Sequence, residues 1–295
     1  MRPVTEPQNP SGGDPRPDTG PPSAGDVPAH IARLWRLPSG SHLGRRAVLT
    51  VDQVVAAAVA LADRDGLAGV TLPKVAGELG VTPMSLYRYV GSKDELLALM
   101  GDYGSRPADA GTGEDGPGAP GDPAWRVALR GWAYGVRAMY RRHPWLAHLP
   151  VQGPPSGPYE LARLDAGLAA LRGTGLDWAA KVGVVTLVSG YVRTASQLAA
   201  DMSAARAGSG LDQGQVEQEY GRAMARLVRP ERFPEAASLF GSGLFEQEPP
   251  DDVAPEGPDH DFRFGLETVL DGVGAAVDRV RTSPAPPAAA RPGRS

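Results

Sequence analysis

From Thr50 onward the apolar residues Val51, Val54, Val55, Ala58, Val59 and Ala62 recur at intervals of three and four, the spacing of one helix face. Thr50 and Gln53 form a capping-box pattern at its start, and Gly66 suits its end. A second series, Trp125, Leu129, Trp132, Ala133, Val136, Met139 and Tyr140, leaves Arg126, Arg130, Arg137 and Arg141 at other positions and stops at His143-Pro144. Leu161, Leu164, Leu168 and Leu171 mark another helix. Residues 177–205 predict a long one, apolar nearly all round in its middle, and 213–229 a more polar one. Phe262, Leu266, Val269, Leu270, Val273, Val277 and Val280 give a closing stripe. "IARLWRLP" (Ile31–Pro38) allows a short helix with Ile31, Leu34 and Trp35 on one side. No strand-like alternation intervenes, so the expected fold class is all-α.

Between the first two series lies a denser pattern. Thr71 stands as an N-cap with Pro73 in the first turn, Val75, Ala76 and Leu79 point inward, and Gly80 supplies a left-handed stop. Thr82-Pro83 repeats the start signal. Leu86 and Val90, four apart, face the core, and Gly91 ends this second short helix. "SKDE" (Ser92–Glu95) is a further capping box, opening a helix with Leu96, Leu97 and Met100. Two short helices joined by Gly80-Val81-Thr82 behind a longer amphipathic one make a helix-turn-helix.

That arrangement accounts for the residues left over from the core. The second helix would enter the major groove by its N-terminal end. Pro83 and Met84 suit a thymine methyl, Ser85 a base edge or phosphate, and Arg88 a guanine or phosphate. Thr82, Tyr87, Tyr89 and Lys93 suit the backbone and fix register. Composition agrees locally. The chain carries a formal charge of −4, which excludes a nucleic-acid-coating protein. From Arg45 to Lys93, however, Arg45, Arg46, Arg64, Lys74, Arg88 and Lys93 outnumber Asp52, Asp63, Asp65 and Glu78. Arg45 and Arg46 suit either a minor-groove arm or an ordinary basic linker.

"LGV…SLYRYV…K.ELL" and the surrounding residues 45–103 resemble the DNA-binding domain of the TetR (tetracycline-repressor-like) regulators. "RHPWL" (Arg142–Leu146), the helix 177–205 and "FRFGLETVLDGV" look like the C-terminal domain of actinobacterial members of that family. The resemblance implies a homodimer, paired through a four-helix bundle, which binds double-stranded DNA and releases it on taking up a small molecule. Two departures stand out. Pro73 occupies a position where many relatives carry a base-contacting Arg, leaving Thr71 or Lys74 to reach phosphate. The Gly/Pro-rich stretch 104–123 also separates the helix after the turn from the ligand domain.

The expected organisation is therefore a mostly disordered extension (1–44), a helix-turn-helix domain (45–103), a linker (104–123), a ligand-binding and dimerisation domain (124–281) and a disordered tail (282–295). The all-round apolar helix must be buried, so Val185, Val188 and Val192 are expected to meet Leu266, Leu270 and Val273 across a two-fold axis. Trp132, Trp145 and Tyr191 are the chosen lining of a ligand cavity, implying an apolar or aromatic effector and disfavouring charged ones.

The remaining chemistry is thin. The absence of Cys excludes disulfides and thiolate sites. His143 and His148 do not share a helix face, so no metal is expected, and His143 reads as a helix-end cap. "GTGEDG" and "GPGAPG" follow no strand and are products of a Gly-rich linker. No catalytic constellation and no cofactor motif is present, so the chain does not read as an enzyme. The longest apolar run, Val182–Val192, is short of a membrane span, and the expected location is cytoplasmic. The main expectation is a ligand-responsive regulator, most simply a repressor of a palindromic operator. The alternative is a helical small-molecule-binding or interaction protein with a degenerate DNA-binding domain.

Overall fold

The computed structural model describes residues 23–38, 49–107, 120–207, 213–245 and 259–282. Arg45, Arg46, most of the 104–123 stretch and the tail beyond Thr282 lie outside the described residues. Every regular element among the described residues is helical. A short α1 (Ala29–Leu34) precedes a head of α2 (Val51–Asp65), α3 (Leu72–Glu78), α4 (Pro83–Val90) and α5 (Lys93–Gly104). The body comprises α6 (Ala124–Arg142), α7 (Pro158–Ala170), α8 (Trp178–Ala207), α9 (Gln213–Leu227), α10 (Pro234–Phe240) and α11 (Asp259–Thr282). The helix α10 was not anticipated, because its seven residues are too few to show a period.

Local chemistry sets the head's boundaries. The Thr50 hydroxyl accepts from the Gln53 amide at 3.2 Å and the Gln53 side chain accepts from the Thr50 amide at 2.8 Å, closing the capping box of α2. Gly66, Gly80 and Gly91 all take positive φ (70°, 65° and 67°), a region that penalises any side chain. Two start signals form differently from expectation. The Thr82 side chain makes no cap bond. Ser92 does accept from the Glu95 amide (3.1 Å), but the Glu95 carboxylate turns away to Arg33 of α1 instead of closing the box.

Val54, Val55 and Ala58 of α2, Leu86 and Val90 of α4, and Leu96 and Met100 of α5 are fully buried, and they belong to the same apolar cluster as the body's Leu129, Val188, Leu266 and Leu270. Burial of each Leu contributes about 1.5–3 kcal/mol. In the body, α6 packs on α7, α8 and α11, and α8 packs on α11. An ionic cluster fastens α6 to α11: the Glu267 carboxylate accepts from Arg130 and Arg126, and Arg130 also pairs with Asp122. These guanidiniums, Arg130 first, hold the Glu267 carboxyl below its usual range. Meanwhile α9 and α10 meet over Tyr220, Phe240 and Phe245.

One expectation fails here. Val185, Val188, Val192, Leu266, Leu270 and Val273 do pack together, but inside a single chain, where all six are buried. They already have apolar neighbours and offer nothing to a second copy. The apolar side chains that α8 and α11 leave in solvent are others: Trp178, Val182, Leu187, Leu198 and Met202 on α8, and Phe264 and Val280 on α11. The helix α8 is therefore not buried all round. It has an inner face and an outer one, both apolar.

Candidate functional site

The helix α4 presents a sharp division. Leu86 and Val90 are wholly buried against α2 and α5, which forces Pro83, Met84, Tyr87 and Arg88 outward; Met84 is 77% exposed. The Ser85 hydroxyl donates to the Thr82 carbonyl at 2.6 Å, so toward a ligand it can only accept. Thr82, freed from capping, keeps an exposed hydroxyl beside it. Arg88 lies along the half-buried Tyr89, its Nη2 donating to the phenol oxygen at 3.1 Å and its guanidinium 5.4 Å from the ring centre. The Thr71 hydroxyl caps α3 by accepting from the Lys74 amide (3.4 Å), while the Lys74 and Lys93 side chains are exposed on the flanks. The result is a protruding helix N-terminus with apolar, hydroxyl and cationic groups facing solvent, the inventory that reads a major groove and holds its phosphates.

The head joins the body through side chains, not through the chain connection alone. The Asp63 carboxylate at the end of α2 accepts from the Trp145 indole (2.6 Å) and contacts His143 Nδ1 (2.7 Å), so His143, the C-cap of α6, also serves as a tie to the head. Asp102, near the end of α5, accepts from the Tyr159 and Glu160 amides at 2.9 and 3.1 Å and thereby caps α7 from another helix. A Cβ at Gly157 would collide with that carboxylate, so glycine is required for the close approach. Burial pushes the Asp102 carboxyl up against the lowering effect of the two amides. On the other flank α1 is strapped to the head by the Arg33–Glu95 and Arg36–Asp52 pairs and to the body by the Trp35 indole donating to the Ser156 carbonyl (2.8 Å). The separation that the 104–123 stretch suggested is thus bypassed by tertiary contacts.

At this junction lies a cavity of about 460 Å³. Ile31 and Leu34 of α1, Leu97, Ala98 and Gly101 of α5, Met139 and Tyr140 of α6, the segment Leu149–Ser156, Glu160 and Arg163 of α7, and Arg193 of α8 line it. None of the three aromatic residues expected to form the lining does so. Trp145 is buried as a head–body tie. Trp132 donates to the Arg163 carbonyl at 2.9 Å and packs against Gly167. Tyr191 donates to the Phe262 carbonyl at 2.8 Å and stacks on the Phe262 ring. Trp145 is fully buried and Trp132 and Tyr191 half-buried against the core, each with its polar atom bonded inside the chain. Sequence reasoning passed over Arg163 and Arg193 because each stands alone among apolar helix positions.

A helix-turn-helix with an exposed second helix, on a larger helical body with a cavity at the joint, defines a DNA-binding regulator. The profile of bacterial regulatory proteins of the tetR family matches residues 54–100, and that of the tetracyclin repressor-like C-terminal domain matches residues 117–277. The chain belongs to the TetR family of transcriptional regulators. It is similar to the HTH-type transcriptional repressor DrrR1 of Streptomyces coeruleorubidus, 34% identical over 264 residues that cover 89% of this chain and 91% of that one. Its fold is similar to that of apo ActR from Streptomyces coelicolor (TM-score 0.60, 23% identity, 80% of this chain and 99% of that chain). It is also similar to ActR in complex with actinorhodin (TM-score 0.59, 25% identity, 78% and 98%). The first of these is named a transcriptional repressor and the second a TetR family protein. Among the described residues no helix is long and apolar enough to cross a membrane.

Proposed function

We propose that the protein is a cytoplasmic, homodimeric repressor that occupies a palindromic operator and leaves it when a small molecule fills the cavity at the head–body joint. The observation that carries this reading is the position of that cavity. Its walls come from α1 and α5 on the head side and from α6, α7 and α8 on the body side. An occupant that fits one setting of the head better than another therefore shifts the population of DNA-competent protein. The similar protein DrrR1 is named a repressor, and ActR has been solved with actinorhodin bound, which supports both halves of the reading.

In this reading Pro83 and Met84 approach thymine methyls, Arg88 reads a guanine, and Thr71, Lys74, Thr82, Tyr87 and Lys93 hold phosphates, with Ser85 accepting from a base edge and Tyr89 steadying Arg88. The pairing face is the outer side of α8 and α11, where Val182, Leu187 and Phe264 are exposed. A Cβ added at Gly183, Gly190 or Gly272 would meet nothing within the chain, so these glycines leave room for a second copy's helices to approach closely. Two copies related by a two-fold axis place their α4 helices in successive major grooves about 34 Å apart.

The test is fluorescence anisotropy of the DNA upstream of the protein's own gene, with sedimentation in parallel. A two-protomer complex at a near-palindromic site supports the reading. A stable dimer that binds small molecules but discriminates no DNA sequence would make the head degenerate and the protein a ligand-binding module.

A further inference from the structure

The cavity is not the apolar chamber that the sequence suggested. We propose that it takes an amphipathic acid: an apolar, drug-sized body lodged between α1 and α5, and one ionised carboxylate, sulfonate or phenolate held by Arg163, Arg193 and Tyr140. This rests on the ligand reading above and names the ligand's chemical class.

Three observations carry it. First, two guanidiniums line the cavity, and among the described residues neither is within ion-pair distance of a carboxylate. Arg163 Nη1 donates to the Ser105 hydroxyl (2.9 Å) and contacts the Met139 sulfur (3.1 Å). Arg193 donates from Nε and Nη2 to the Ala147 and Leu149 carbonyls. The remaining donors of both forks are uncommitted, and their neutral acceptors do not neutralise either charge. Secondly, the Tyr140 hydroxyl is a further donor without a hydrogen-bond partner among the described residues, on a ring mostly buried in the same wall. Burial pushes the Tyr140 phenol up, the Arg163 and Arg193 charges pull it down and Glu160 adds to the rise, which places the phenol within electrostatic reach of all three. Thirdly, the acid in the lining, Glu160, is committed: its Oε2 accepts from the Ser156 and Gly157 amides. The lining thus sets two guanidiniums against one carboxylate, one of whose oxygens is engaged at a helix start, and carries a net positive charge.

The apolar part of the wall includes residues of α1 and α5. α1 grips α5 at Glu95, whereas Arg163 grips the residue just past its other end, Ser105. Ten residues of helix separate those points by about 15 Å. Ile31, Leu34 and Leu97 line the α1–α5 wall of the cavity. A volume of about 460 Å³ suits an organic molecule of a few rings.

Two fluorescent probes that differ by one sulfonate test this: 8-anilinonaphthalene-1-sulfonate and neutral N-phenyl-1-naphthylamine, each titrated into the intact protein. The anionic probe should bind roughly tenfold tighter, as for a charge-assisted pair out of bulk water. Arg163→Gln, and separately Arg193→Gln, should collapse that preference, and Tyr140→Phe should reduce it. Ala98→Trp fills the cavity and should block both probes. Equal affinity of the two probes for the parent would overturn the proposal, as would a preference that survives Arg163→Gln and Arg193→Gln, or binding unaffected by Ala98→Trp. Because Arg193 also holds the Leu149 carbonyl, Arg163→Gln decides the matter if Arg193→Gln melts lower. Selective anionic binding that leaves the operator complex intact would uphold the acid pocket while removing the release mechanism proposed above.

Discussion

The recognition helix and the cavity are built in opposite ways. In α4 eight consecutive residues supply both a buried anchor and an exposed reading face, and Leu86 and Val90 alone decide which side is which. The cavity draws its wall from six separate segments between His30 and Arg193, and no one of them forms half of it. A surface that reads DNA needs only a rigid helix pushed outward. A chamber needs several elements to stop short of one another. Substitutions on α4 should therefore change affinity and spare stability, whereas substitutions around the joint change stability first.

The largest effect separates the two faces of α8. Val185→Asp places a charge in the sealed core and should cost several kcal/mol, leaving little folded protein in a thermal melt. Leu187→Asp, two residues on and exposed, should leave the melt intact and shift sedimentation from dimer to monomer. A folded dimer from both variants would remove α8 from the pairing face. Next comes Trp145→Ala. As a buried tie to Asp63 it should cost about 3–5 kcal/mol. That lowers the melting temperature by about 2–4 °C per kcal/mol for a chain of this size. An unchanged melt combined with lost ligand response would restore Trp145 to the ligand site.

Arg88→Ala should weaken operator binding by about 1–3 kcal/mol per half-site and relax specificity there, with no change in melting. Lys93→Ala should weaken all sequences alike and reduce the salt slope by about one per protomer. Anisotropy titrations at several salt concentrations distinguish the two roles. The smallest effect is a pH dependence. The Asp102 carboxyl is raised in the fold by burial, so its contribution to stability is full below its unfolded pKa and is lost as the pH rises through its folded pKa. Asp102→Asn cannot ionise, and its melting temperature should gain on the parent's as the pH is raised through that window. Parallel curves would mean that the two α7 amides fully offset the burial.

Much of the head was legible because its signals are short-range. Thr50–Gln53, Gly66, Gly80 and Gly91 each act within a few residues, and the chain obeys them with little reference to the rest. Where a distant group competed, the reading slipped: Glu95 left its capping box for Arg33, sixty-two residues away. The body's helices were legible by period, but their partners were not. Trp132, Trp145 and Tyr191 looked like ligand contacts because a large aromatic ring is equally at home in core and cavity. Which it occupies depends on whether an acceptor such as the Arg163 carbonyl or Asp63 lies opposite.

The sequence by itself determined the all-helical class, the helix-turn-helix and the outward set of side chains on α4, since helix period and capping are properties of neighbours along the chain. The tertiary structure alone decided which face of α8 is sealed, that Asp63 and Asp102 lock the head to the body, and that Arg163 and Arg193 share one chamber. Those outcomes depend on groups 30 to more than 80 residues apart. Packing, which no local pattern encodes, brings them together.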